Sequence, residues 1–354
     1  MGIEDGAGIL EHMDAVSRDF KRLFPSFSFD TRSVFADIMG GRLWEAVKKL
    51  SGGVFGAVSF EWEEYRALFI TILVLGVAAA LFSNFADLFK DRQVSDLAFY
   101  FVYLLLIAVL LKFFTETADT VREILNHMAT FIKLYIPTYM LAVGSAAGAA
   151  STTVYYQLLL IVVYLIEWGY LTVLHPFVYI YVMLAVINGI WMEEKLALFL
   201  ELAEKVIKGS MKASIWLITG FGLLQSMVSP VIDSLRVSAL KKAVSAIPGM
   251  GGVTENMLEM VAGSAMLLKN SLGLFLTITL MVLCAAPMIR IALIACEIKL
   301  SAAVIGVISD KRLTNCVSRV GEGSLMFLQM VLTSLGMFVI QIAIISYCAG
   351  KTVY

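Results

Sequence analysis

The stretch that decides the fold is residues 287–302, PMIRIALIACEIKLSA. Ile289, Ile291, Leu293, Ile294, Ile298 and Leu300 suit lipid, whereas Arg290, Glu297 and Lys299 do not. The stretch lies in a longer apolar run, 271–309. A bilayer core of about 30 Å needs only about 20 helical residues, so this run is nearly twice too long for one crossing. Residues 153–192 form a second run of that kind, interrupted at His175-Pro176. Each run is read as two crossings joined by a tight hairpin. Pro176 and Pro287 then sit in the first turn of the second helix, where a missing N–H costs nothing.

Composition supports a membrane environment. Of 354 residues, 60% are hydrophobic and 16% charged. Soluble domains run nearer half apolar and a quarter charged. The net charge of −1 gives no bulk attraction to nucleic acid. Cys284, Cys296, Cys316 and Cys348 lack CxxC spacing and read as small core residues. His12, His127 and His175 form no ligand pattern. There is no GxxxxGK[ST], HExxH or GxSxG. The AGKT at 349–352 follows an apolar helix and lacks the first glycine of a phosphate loop. The expectation is a protein without enzymatic activity, metal or cofactor.

Working outward, residues 1–66 are the one long soluble-looking stretch, with 8 Lys and Arg against 11 Asp and Glu. Its start lacks the apolar region of a signal peptide. Val34, Phe35, Ile38, Met39, Leu43, Val47 and Leu50 fall near helical spacing, interrupted by Gly40-Gly41. This predicts a small helical cap on the membrane domain or a helix lying in the interface. Two leading crossings, 67–85 and 97–114, are followed by an amphipathic connector, 115–133. The segment 134–151 holds Gly144 and Gly148 in a GxxxG, which serves close helix packing or a re-entrant element. Residues 213–231 and 325–349 supply further single crossings.

The chain has only six prolines, and four of them form two pairs. Pro137 and Pro248 stand 111 residues apart, as do Pro176 and Pro287. Pro137 and Pro248 both follow isoleucine. Gly209-Ser210 then matches Gly323-Ser324 at 114, as Thr219 and Gly222 match Thr333 and Gly336. The prolines are read as the hinges or turns of an internal duplication. The resulting architecture is an all-α, polytopic membrane helix bundle of about eight or nine membrane segments. It comprises an N-terminal helical region (1–66), two leading helices with their connector (67–133), repeat 1 (134–231), and repeat 2 with its linker (232–354). Three crossings per unit of this period of about 111 residues would invert the copies, as in many transporters. Inverted copies are expected, because 247–263 carries Glu255 and Glu259 and should not span. The basic connectors 193–212 and 310–324 pull against inversion, because both look cytoplasmic.

The three charges separate by depth. Arg290 lies about 5 Å into its helix and can snorkel to the interface. Glu297 and Lys299 lie about 15 and 18 Å in, where a charge is costly and marks a buried clamp or a substrate path. Two residues apart, they point to different faces, so Lys299 needs a partner on another helix. Glu167, in VVYLIEWGYL, is the candidate. At the 111-residue spacing, Arg290, Glu297 and Lys299 match Tyr179, Val186 and Asn188.

AIPGMGG (246–252), LLKNSLG (267–273), IKLSAAVIGVISDKRLTNC (298–316) and the closing AIISYCAG resemble the stage III sporulation protein AE family. The resemblance extends from about residue 67 onward. It implies a multi-pass protein of the mother-cell membrane around the forespore. It also implies a channel or feeding apparatus as the setting. The implied partners are other stage III sporulation membrane and ring proteins, a secretion-type ATPase, and stage II protein Q across the intermembrane space. Family members usually begin with a signal peptide, which leaves the side of residues 1–66 open. The family often has tyrosine at the position of Glu297 and proline at that of Val307, while Lys299 fits its pattern. The other readings are a free-standing secondary transporter with a midplane site at Glu297, Lys299 and Glu167, and a structural membrane scaffold.

Overall fold

A computed structural model describes residues 31–84, 92–147, 150–190, 196–244, 251–308 and 311–348. Among the described residues the chain is all-helical. The helices are α1 (Thr31–Met39), α2 (Leu43–Asn84), α3 (Arg92–Ala147), α4 (Ala150–Gly169), α5 (His175–Ile190), α6 (Ala197–Val244), α7 (Gly251–Ile308) and α8 (Lys311–Cys348). A π-helical turn, Tyr170–Leu174, joins α4 to α5.

The glycine pair ends α1 as its sequence suggests. The Gly41 N–H donates to the Ile38 carbonyl and the Arg42 N–H to that of Asp37, the two bonds of a Schellman cap. Gly41 has φ +74°, which a side chain would disfavour. The turn folds α1 back onto α2 and α7, where Phe35 meets Phe275 edge to face at 5.9 Å. Val34 and Ile38 are buried there, so α1 is a cap on the bundle. Residues 1–30 lie outside the described residues.

Neither apolar double run folds as a hairpin. Residues 251–308 form one helix with Pro287 inside it, and 150–190 run helically through Pro176. In an apolar setting each freed backbone group is expensive, which favours continuing a helix over opening a loop. At Pro176 the π turn makes the accommodation visible. The His175 N–H bonds five residues back to Tyr170, widening the turn just before the proline ring. The stretch 115–133 is likewise no connector but the middle of α3. The Thr117 and Thr120 hydroxyls donate to carbonyls four residues back, at 2.8 and 2.9 Å, and leave the helix intact.

Four described stretches are long and apolar enough to cross a membrane: Tyr100–Lys133, Leu158–Gly189, Asn270–Ile308 and Lys311–Ile345. Phe69–Leu81 is a shorter apolar helix. The double runs thus supply one long helix each where two crossings were expected.

α8 is the central helix, packed against α3, α4, α5, α6 and α7. Met326, Phe327, Met330, Val331 and Met337 are buried along it. Side-chain neighbours fix the direction of each element. Val182 and Phe114 lie beside Gly323, and His175 stacks on Phe327 at 5.0 Å. Glu167 bonds Ser334, so the α4–α5 rod runs antiparallel to α8. Lys299 meets Glu322, and Gly306 adjoins Thr314, so α7 is also antiparallel to α8. Lys208 meets Glu322 and Gly222 adjoins Ile344, so α6 runs with α8. The two units related by the proline spacing therefore run the same way, which corrects the expectation of inverted copies. Single helices in place of hairpins remove the odd crossing that inversion required.

Candidate functional site

The predicted anomaly, Lys299, has a partner, but it is not Glu167. Lys299 Nζ lies 2.7 Å from Glu322 Oε2 on α8. The other carboxylate oxygen, Oε1, takes Lys208 Nζ of α6 at 2.5 Å. Lys208 also reaches Glu204, one turn earlier, at 2.8 Å. Four alternating charges thus join three helices in the order Glu204, Lys208, Glu322, Lys299. Glu322 bridges two ammonium groups with only 20% of its side chain exposed. Lys299 is also 3.5 Å from the Ser318 hydroxyl, to which it donates. Nearby, Arg319 donates to Tyr181 on α5 at 3.4 Å.

The local sequence explains this convergence. Glu204 and Lys208 are four residues apart on α6 and form the stabilising helical pair. Gly321 lets the Lys299 stem cross α8, since an added Cβ would stand 3.0 Å from its Cγ. Asn188, which matches Lys299 at the 111 spacing, accepts the Leu196 N–H at 2.9 Å and so closes the turn into α6. The network sits about three turns in from the end of α7 and from the starts of α8 and α6. It is neutral in sum, which is how a half-buried set of charges becomes tolerable.

The other expected residues do not join it. Glu167 is buried on α4 and accepts from Ser334; its Oε2 has no hydrogen-bond partner. It lies near Met128 of α3, which the Ser334 hydroxyl also faces at 3.6 Å. Glu297 forms no ion pair with Lys299, and its Oε2 is buried without a hydrogen-bond partner. Arg290 is half-buried, two turns before Glu297 on α7. A single midplane site of Glu297, Lys299 and Glu167 is therefore not formed. Pro137 lies within α3, but its surroundings, those of Gly144, and residues Gly148 and Pro248 lie outside the described residues.

Sequence reasoning missed Glu322 and Lys208. Both stand in the two basic connectors, where a charge looks like an ordinary solvated residue. The available signal was their spacing: they are 114 residues apart, the interval that relates Gly209-Ser210 to Gly323-Ser324. Among the described residues no group of three or more His, Cys, Asp or Glu side chains could hold a metal ion.

Comparison with known proteins agrees with the motifs. No solved structure matches the chain. Stage III sporulation protein AE of Bacillus subtilis (strain 168) is 22% identical over 364 residues, covering 97% of this chain and 91% of that protein. The model of the family described as Stage III sporulation protein AE matches residues 29–349. A match over that much of the chain shows that it belongs to the stage III sporulation protein AE family.

Proposed function

We propose that this protein is an integral, multi-pass membrane subunit of the channel or feeding apparatus that joins mother cell and forespore and sustains late forespore development. It resides in the mother-cell membrane around the forespore. It works without catalysis of its own, alongside ring-forming and membrane proteins of stage III and a secretion-type ATPase, and faces stage II protein Q across the intermembrane space. Family membership over residues 29–349 carries this reading. The long apolar helices supply the membrane character it requires. The charge network fits a subunit that must hold a fixed helix arrangement under load from partners.

The test is a deletion in the native host together with affinity purification from sporulating cells. The expected result is a block in late forespore development, with the ATPase and ring proteins recovered on the tagged chain. Normal spores, or a chain that purifies alone and moves a solute unaided in liposomes, would overturn the proposal.

A further inference from the structure

The exposed face of α3 changes character along its length. Leu97, Phe101, Leu104, Leu105 and Ala108 are exposed and apolar. The same face then presents Lys112, Glu116, Asp119, Arg122, Glu123 and Asn126 at three- and four-residue spacing. Lys112 and Glu123 are among the more open, at 68% and 71% side-chain exposure. The pairs Lys112–Glu116 and Glu123–His127 are long, at 3.9 and 4.0 Å. Nothing in these separations pulls the charges into the bundle.

The height of this stripe is fixed by neighbours. His175 Nε2 donates to the Ala118 carbonyl at 2.8 Å, so Ala118 is level with the start of α5. Ser334 faces both Met128 and Glu167, so Met128 is level with the end of α4. Between those two levels, the neighbouring α4–α5 rod exposes Trp168 and Val173, at 54% and 62%. At one height, then, the α4–α5 rod shows a lipid-like surface and α3 a charged one, and the two faces adjoin where Lys133 lies over the Tyr164 ring at 4.7 Å. A charged surface cannot stand against hydrocarbon at the depth of that apolar flank.

We propose that the 112–126 face of α3 borders a water-filled groove at membrane depth. This rests on the membrane placement in the proposed function. It adds a location for water inside that placement and names the helix that wets it. Mixed charge in the stripe keeps the groove hydrated without committing it to anions or cations.

Single cysteines replace Glu116, Asp119 and Glu123 on the stripe, and Trp168 and Val173 on the apolar flank of the α4–α5 rod. Full-length protein in native membranes is treated with a membrane-impermeant thiol reagent. Labelling is read site by site by peptide mass spectrometry, so the native cysteines can remain. The expected result is labelling of the three stripe positions about tenfold faster than the two flank positions. Three unreactive stripe positions would overturn the groove and leave membrane placement standing. Stripe cysteines that instead cross-link between two copies would overturn it too, because the face is then a protein interface. Equal reactivity of both flanks would show that this level is not in the membrane, and the placement would fall with the groove. Glu116→Gln tests the same point if a cysteine variant fails to accumulate. The groove requires this change to leave labelling at positions 119 and 123 intact, and loss of labelling there counts against it.

Discussion

Lys208 and Glu322 meet at 2.5 Å, 114 residues apart in sequence, the interval that also separates Gly209-Ser210 from Gly323-Ser324. The pair joins α6 to α8. Lys299 gives Glu322 a second cation, whereas the residue 111 positions earlier is the uncharged Asn188.

Removing the shared anion is the most damaging change to this network. Glu322→Gln leaves Lys208 and Lys299 facing each other with half-buried ammonium groups. Allowing for partial exposure, the loss is about 1–2 kcal/mol, more than for Lys299→Met. Exchanging the charges with Lys208→Glu and Glu322→Lys does not rescue it, because Lys299 would then oppose a lysine and Glu204 a glutamate. Thermal stability of the detergent-solubilised protein, followed by size-exclusion chromatography, checks the order. A fully rescuing exchange would show that Lys299 is outside the network.

Glu297 behaves in the opposite way. Its buried Oε2 has no hydrogen-bond partner, so a charge there has little to hold it. Glu297→Gln is expected to be neutral or to stabilise by about 1 kcal/mol, and to leave sporulation unchanged. A sporulation defect at normal protein level would show that the carboxylate has a role of its own.

These two glutamates show how far the sequence could be read. Apolar content and run length made the helical, membrane-type architecture legible, and Gly40-Gly41 marked the α1 boundary correctly. Depth from Pro287 marked Lys299 as a residue in need of a partner. The partner was hidden because pairing across helices depends on register and polarity, which helical periodicity does not contain. The prolines misled for a related reason. A proline in a soluble helix signals a break, but in an apolar bundle the broken alternative is costlier than a lost hydrogen bond. The polar stretch 115–133 looked like a connector because sequence reports polarity and not which side of a helix is covered.

Pro287 offers a direct check of that point. If it stood at a hairpin turn, Pro287→Ala would remove a turn residue and disturb the fold. Inside a continuous helix, alanine restores an N–H and relieves a ring clash. The expectation is an intact protein, more stable by on the order of 1 kcal/mol. Thermal unfolding of the variant decides, and a clearly destabilised protein would speak for the hairpin.

The α1–α2 corner should respond to acid. The Lys49 ammonium, hydrogen-bonded to Asp37, holds that carboxyl below the usual carboxylate range, and Arg42 acts in the same sense against the effect of burial. A carboxyl lowered by folding contributes stability above its unfolded pKa and loses it as pH falls through the lowered value. The corner is therefore firm at neutral pH and loosens only below roughly pH 4. Hydrogen-exchange protection of residues 34–47, corrected for intrinsic rates, should fall in that window. Asp37→Asn should show the loosened level at pH 7. Equal protection of variant and parent at pH 7 would remove Asp37 from the account.

The direction of the two units yields the last expectation. α6 and α8 run the same way, so their first residues, Ala197 and Lys311, lie at one end of the bundle. Lys205, Lys208, Lys212, Lys311, Arg312 and Arg319 gather at that end. Basic residues flanking membrane helices favour the cytoplasmic side. Epitopes inserted at the two connectors should both be cytoplasmic, protected from an external protease in intact cells and cut after permeabilisation. Epitopes on opposite sides would restore the inverted arrangement and contradict the Lys208–Glu322 pair, because α6 and α8 could not then run together. Two epitopes both exposed outside would keep the parallel units and reverse only the orientation.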